Sequence, residues 1–182
     1  QIQGAHALLD LYEGWIALAE DRLEDSRQHL ELALPALETG IANRVPYALN
    51  ALSEVLLKNR SFEAARETAL NGVIWNREHG NQEQLTCSLR LLAEASIAIG
   101  DLDRAGHYLA EAGRIARIGY FRPHLAWIFE AYARYWQRRG NASLARDWNR
   151  NAYDAWTVMG NLYQAGRLAE PKDESRAVRG NA

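Results

Sequence analysis

The chain has 182 residues, of which 48% are hydrophobic and 24% charged, with a formal net charge of −2. This composition disfavours wholesale disorder and gives no reason to expect nucleic acid as a partner. Its apolar runs are a few residues long, against the roughly 20 that a membrane span needs, so no membrane association is predicted. The single cysteine, Cys87, excludes an internal disulfide and fits a reducing compartment, which predicts a cytoplasmic location.

Apolar residues at helical spacing predict eight long helices in chain order and a shorter ninth. The predicted ranges are 3–20, 23–39, 45–59, 61–79, 82–99, 102–118, 122–139 and 142–159, with the ninth from about Asn161 to Glu170. Gly100 and Gly140 suit the left-handed residue that ends a helix. Asp101 and Asn141, which follow them, suit the start of the next helix, because their side chains can accept hydrogen bonds from its free N–H groups.

Small residues recur along the chain with a period of 39 to 40 residues, which indicates an internal repeat. One column of small residues consists of Ser26, Ala65, Ala105 and Ala145. A second column lies seven residues later, and a third lies twelve residues before the first: Ala33, Gly72, Ala112 and Ala152; Gly14, Ser53, Ala93 and Ala133. Helices approach closely where side chains are small, so the columns predict helical hairpins that stack on one another.

The repeat resembles the tetratricopeptide repeat (TPR), which has small residues in the middle of its first helix and an aromatic residue or Leu at the start of its second. In this chain Leu23, Phe62 and Leu102 occupy that starting position. The usual period is about 34 residues, so these units are longer. In this they are similar to the long-helix arrays of bacterial multidomain regulators, such as maltose-activator-like transcription factors and ATPase-linked cyclases. HEAT and armadillo repeats have a comparable length and are the alternative.

The resemblance implies an all-α, right-handed superhelical solenoid of four antiparallel helical hairpins and a partial fifth. The repeat domain is predicted to span 1–170, and the polar segment 171–182 is predicted to be a C-terminal tail or linker. Five apolar residues on the first helix have the character of residues that pack against a neighbouring unit: Leu8, Leu9, Leu11, Trp15 and Ile16. The domain is therefore predicted to be an excerpt of a longer protein. The ratio of 19 arginines to 2 lysines favours a bacterial source.

The sequence contains neither a recognisable set of catalytic residues nor a cofactor-binding motif. The five histidines form no i, i+4 pair around a Glu, and neither a CxxC nor a glycine-rich phosphate loop occurs. Cys87 has no base or orienting group that the sequence identifies. We therefore predict a protein that is not an enzyme and that binds no cofactor and no metal.

The TPR resemblance implies that the first helices line a concave groove and that their exposed positions contact a protein or peptide. Carried over by alignment, these positions are Tyr12, Trp15, Tyr47, Asn50, Glu54, Lys58, Arg90, Glu94, Trp127, Glu130, Arg134 and Gln137. A clamp for a C-terminal carboxylate is disfavoured, because Asn50 lacks the partnering lysines and the second Asn. Arg90 and Arg134 are the leading candidates to contact an acidic or polar ligand. The alternative is that Glu94 and Glu130 already neutralise both arginines, leaving a salt-bridged surface.

The fourth unit is rich in aromatic residues and arginine. Eleven of the 17 aromatic residues fall within 120–163, and 114–150 carries eight arginines against two acids, whereas 1–67 carries 11 acids against six bases. One interpretation is a binding surface. The other is core packing, with Trp148 and Trp156 against the ninth helix. Opposite charge at the two ends also suits head-to-tail self-association.

Two functions are consistent with the sequence. The first is a non-catalytic module that presents a concave helical groove to a protein or peptide. The alternative is a ligand- or partner-sensing segment of a bacterial multidomain signalling or transcription regulator.

Overall fold

A computed structural model describes the backbone of residues 2–169 and the side chains of residues 4–169. The predicted tail, 171–182, lies outside the described residues. The helices are α1 (Ile2–Ala19), α2 (Leu23–Gly40), α3 (Val45–Lys58), α4 (Phe62–His79), α5 (Gln82–Ile99), α6 (Leu102–Ile118), α7 (Arg122–Arg138), α8 (Ala142–Val158) and α9 (Leu162–Leu168), with a short 3-10 turn at Ala42–Arg44. No strand occurs within residues 2–169, so the predicted all-α class is confirmed.

Short turns separate the helices, and most of them contain a residue in the left-handed conformation. Gly100 and Gly140 have φ angles of +98° and +77°, which confirms their predicted role. Three turns use residues with a side chain instead: Asp21, Arg60 and Tyr120, with φ between 57° and 59°. The predicted caps are also present, because the side chains of Asp101 and Asn141 accept hydrogen bonds from the N–H groups three residues later.

Consecutive helices pack as antiparallel hairpins that stack in chain order. The first helices of neighbouring hairpins also contact each other, since α1 packs on α3, α3 on α5 and α5 on α7. Among the described residues, the second helices α2, α4, α6 and α8 make no such contact with one another. The first helices therefore form the closely packed inner row of the solenoid, and the second helices form its more widely spaced outer row.

The small-residue columns lie where helices touch. Eleven of these twelve residues are buried, and the twelfth, Ala145, is half-buried. A methyl group added to Gly14 of α1 would lie 2.8 Å from Cγ of Leu30, which is fully buried in α2. Burying a Leu side chain of this kind contributes about 1.5–3 kcal/mol to folding, and the small residues of the columns let the helices approach closely enough for this burial.

Candidate functional site

The inner row of helices carries an open groove with a volume of about 710 Å³, which we name the central groove. It is lined by α3, α5 and α7, by the first residue of α4, and by α9. The lining residues are Glu54, Leu57, Lys58, Phe62, Arg90, Leu91, Glu94, Ile97, Ala98, Trp127, Glu130, Arg134, Gln137, Arg138 and Arg167.

The repeat register explains why these side chains meet. Glu54, Glu94 and Arg134 are spaced 40 residues apart and occupy the same position on three successive first helices. Because those helices pack side by side, equivalent positions form rows that cross the groove. The row that contains Trp127 continues to Arg167, which is how the short α9 contributes to the groove.

Eight of the twelve residues predicted to contact a partner line the central groove: Glu54, Lys58, Arg90, Glu94, Trp127, Glu130, Arg134 and Gln137. The other four do not. Tyr12, Trp15 and Tyr47 form a separate aromatic group in the first two units, with ring centroids 5.5 Å and 6.0 Å apart along the series. This group is partly exposed, and the guanidinium of Arg44 lies 5.5 Å from the Tyr47 ring centroid.

Asn50 was expected at an exposed groove position, and the structure shows that this is wrong. Asn50 is only 5% exposed, because α3 packs closely against α5 at this point. The amide of Asn50 donates to Oε1 of Gln84 over 3.0 Å and accepts a hydrogen bond from Oγ of Ser88 over 2.6 Å. Asn50 therefore joins the second unit to the third, and this role satisfies its buried polar atoms.

Glu94 lies in the middle of the groove and binds two arginines. Nη1 of Arg90 lies 2.6 Å and Nη2 of Arg134 lies 3.0 Å from Oε1 of Glu94. Burial opposes ionisation of Glu94, but the positive charges of Arg134 and Arg90 outweigh it and hold the pKa of this carboxyl below its usual value. Glu94 therefore ties α5 to α7 as a carboxylate.

Glu130 was likewise expected at an exposed groove position, and this expectation is wrong, because it is the most buried acid of the groove, at 3% exposure. It accepts hydrogen bonds from Nε1 of Trp156 on α8 and from Nη2 of Arg167 on α9, each over 2.9 Å. Arg134, one turn further along α7, lies 3.9 Å from the same carboxylate. Glu130 thus connects three helices of the fourth and fifth units.

Arg90 was also expected to be exposed, and this expectation is wrong, because the residue is 8% exposed beneath Trp127. Its guanidinium carbon lies 5.8 Å from the Trp127 ring centroid, and that of Arg167 lies 5.4 Å from the same ring. Nε of Arg90 is buried without a hydrogen-bond partner. Arg134 is exposed as expected, with 45% of its side chain accessible.

The geometry agrees with the alternative interpretation of a salt-bridged surface, since Arg90 and Arg134 both bind Glu94. These ion pairs do not neutralise all the positive charge of the groove, however. The groove is lined by five cationic side chains and three carboxylates: Lys58, Arg90, Arg134, Arg138 and Arg167; Glu54, Glu94 and Glu130. The lining is therefore electropositive.

The aromatic residues of the fourth unit serve mainly as packing. Trp156 is 3% exposed and packs with Ala165 of α9, as expected. Trp148 packs differently from the prediction: its ring stacks on Tyr132 at 4.5 Å and contacts Phe129 at 5.4 Å, both on α7 rather than the ninth helix. These three rings pack between α7 and α8, and an isolated sequence does not specify which neighbouring helix each ring meets.

Two groups outside the lining of the central groove carry reactive or titratable side chains. Burial raises the pKa of the Cys87 thiol, which disfavours the reactive thiolate. Elsewhere, Nδ1 of His29 on α2 lies 3.1 Å from Asp10 and 3.3 Å from Glu13 on α1. A search for ligand spacing within one helix misses this trio, because its members come from two helices. Hydrogen bonding between the imidazole and the carboxylates accounts for these distances.

Comparison with known proteins finds no family model that matches the chain. The chain is 33% identical over 128 residues to the HTH-type transcriptional regulator MalT of Yersinia enterocolitica. The aligned segment covers 69% of this chain and 13% of MalT. It is 29% identical over 146 residues to MalT of Yersinia pestis, covering 77% of this chain and 16% of MalT. The chain therefore spans about a sixth or less of the length of these relatives.

Two solved structures resemble the fold. The apo form of RapI superposes with a TM-score of 0.77 at 12% identity, covering 90% of this chain and 60% of RapI. BtubC from P. vanneervenii gives a TM-score of 0.56 at 11% identity, covering 99% and 92% of the two chains. Within residues 2–169, no helix is both long enough and apolar enough to cross a bilayer. The stacked hairpins and the likeness to RapI together show that the chain has a helical-repeat fold.

Proposed function

We propose that this domain is a non-catalytic protein-interaction module whose central groove binds an acidic or polar segment of a partner protein. The observation that carries the proposal is the electropositive lining, in which cationic side chains outnumber carboxylates five to three. Half-buried apolar side chains, including Leu57 and Phe62, line the same groove and offer contact area beside the charges. Charged groups would then fix the position of the segment, and apolar contacts would add affinity.

Arg134 is the residue that we expect to meet the partner. Of the two arginines that bind Glu94, Arg134 has the more accessible side chain. Its guanidinium lies between the carboxylates of Glu94 and Glu130. A carboxylate from a partner could take one side of this planar group while Glu94 keeps the other. Arg90 would remain underneath as a buried, fixed charge that holds Glu94 in place.

The test compares Arg134→Ala with Arg27→Ala. Arg27 is a matched control, because it is also partly exposed and also pairs with two carboxylates, Glu24 and Glu31, but lies on α2. Partners are first captured on the immobilised domain from a lysate of the source organism, and their affinities are then measured by calorimetry. Loss of a charge-assisted contact worth about 1.5–3 kcal/mol should weaken binding by roughly 10- to 150-fold in Arg134→Ala only. Equal affinities for the two variants would reject the groove as the binding site.

The similarity to MalT favours a second candidate function. We infer that the units are long-period TPR units, and that the domain senses a ligand or partner within a bacterial transcription or signalling regulator that works in the cytoplasm. The support is the 33% identity over 128 residues to a protein named as a transcriptional regulator. In the polypeptide expressed from its native gene, Arg134→Ala should alter the expression of regulated genes, whereas Arg27→Ala should not. Binding without an effect on transcription would leave only the first function.

A further inference from the structure

The first helix carries an apolar stripe that nothing in the described chain covers. Leu9, Tyr12 and Ile16 are 55%, 44% and 55% exposed. Their spacing of three and four residues places them on one side of α1, next to one another. We name these three residues the α1 stripe.

The equivalent positions in the second, third and fourth units are all buried. The period of 39, 40 and 40 residues carries the α1 stripe onto three residues in each of α3, α5 and α7: Ala48, Ala51 and Val55; Ser88, Leu91 and Ala95; Ile128, Ala131 and Tyr135. None of these nine residues is more than 8% exposed. Among α1, α3, α5 and α7, this face is therefore an interface on the last three helices and is open on α1.

Two close approaches show what covers this face inside the stack. A methyl group added to Gly72 of α4 would lie 2.8 Å from Oγ of Ser88 on α5. A methyl group added to Gly106 of α6 would lie 3.0 Å from the hydroxyl of Tyr135 on α7. In both cases the covering element is the second helix of the preceding hairpin, and it brings a glycine to the contact.

We propose that the α1 stripe is the docking surface for a further helical hairpin of the same repeat type, contributed by the same polypeptide. The hairpin stacks on α1 as the first hairpin stacks on α3. Its second helix carries Gly or Ala opposite Leu9 and Ile16, because these side chains are larger than Ala48 and Val55 at the equivalent positions and need more room. Continuity with the three interfaces between units supports this occupant. The inference concerns a surface other than the central groove and does not depend on what the groove binds.

The test places a photo-crosslinking benzophenone amino acid at position 16 of the polypeptide expressed from its native gene. Position 32 serves as the control, because Leu32 of α2 is 67% exposed and lies on the second helix of its hairpin. We expect position 16 to crosslink within the same polypeptide, to a helix with Gly or Ala at the contact, at several times the yield of position 32. Crosslinks to a second copy, to another protein, or at the control yield would overturn the proposal.

A second measurement addresses the energetics of the same contact. In the 182-residue chain by itself, Ile16→Glu should leave the melting temperature nearly unchanged, because the side chain is already exposed. In the polypeptide expressed from its native gene, the same substitution should lower the melting temperature of this domain by several degrees. An equal effect in both proteins would mean that no hairpin covers the α1 stripe.

Discussion

Replacing Glu130 with Leu should destabilise the domain far more than the loss of an ordinary surface acid. The carboxylate is 3% exposed, and it is the acceptor for the indole N–H of Trp156, which is equally buried. An indole N–H left without an acceptor costs about 1–3 kcal/mol. The ion pairs to Arg167 and Arg134 involve guanidiniums that are 39% and 45% exposed, so solvent screens them to about 0–1 kcal/mol each. Together these contributions give an expected loss of roughly 1–5 kcal/mol.

Two further variants separate these contributions. Glu130→Gln keeps an oxygen that can accept the Trp156 N–H, so it should lose mainly the screened ion pairs, about 1 kcal/mol. Glu111→Leu is the control, because Glu111 pairs with Arg77 over 2.9 Å but is 32% exposed. It should cost no more than about 1 kcal/mol.

The assay is urea unfolding at pH 7, followed by tryptophan fluorescence and by circular dichroism at 222 nm. Coincident unfolding transitions in the fluorescence and circular dichroism signals would support a two-state analysis. If the midpoints for Glu130→Leu and Glu111→Leu agree after allowance for equal slopes, the argument that Glu130 holds α7, α8 and α9 together is wrong.

Three other predictions follow from packing, backbone conformation and charge. Ala112→Leu should overpack the fully buried face of α6 and cost about 1–3 kcal/mol in urea unfolding, whereas Ala110→Leu on the exposed face should be nearly neutral. Tyr120→Gly should raise stability by about 0.5–1 kcal/mol, because Tyr120 is exposed and has a φ of +57°; an unchanged melting temperature would contradict this. The pKa of Glu94 is lower in the folded state than the unfolded value of about 4.3, so its ionised form stabilises the fold at neutral pH. That contribution is lost as pH falls through the folded-state pKa, and the stability difference between the parent and Glu94→Gln should therefore shrink below about pH 4.

The helices could be predicted closely because their signals are local. Small-residue columns and turn residues repeat in every unit, so the first eight predicted helices agree with the structure to within one residue at each end. The row of Glu54, Glu94 and Arg134 could be placed on the groove for the same reason: a fixed period puts equivalent positions side by side.

The burial and pairing of individual groove residues could not be predicted in this way. Asn50 and Arg90 occupy equivalent positions of the repeat, 40 residues apart. Each is buried by a contact with a residue on another helix, which is Gln84 for Asn50 and Trp127 for Arg90. The hydrogen bond from Trp156 to Glu130 joins residues 26 positions apart on different helices. Such pairs depend on side-chain length and on the rotation of each helix, and a repeat pattern does not encode either quantity.

The ion pairs along the inner row have a mechanical consequence. The Glu94–Arg134 and Glu130–Arg167 ion pairs each join one unit to the next along the inner row of helices. The outer helices α4, α6 and α8 lack contacts with one another in the described chain. We therefore expect resistance to bending to be concentrated in the inner row, where the ion pairs lie. A partner carboxylate on the free side of Arg134 would share that guanidinium with Glu94 and so weaken one of these ion pairs. We therefore expect the stiffness of the solenoid, and with it the spacing of the outer helices, to depend on whether the groove is filled.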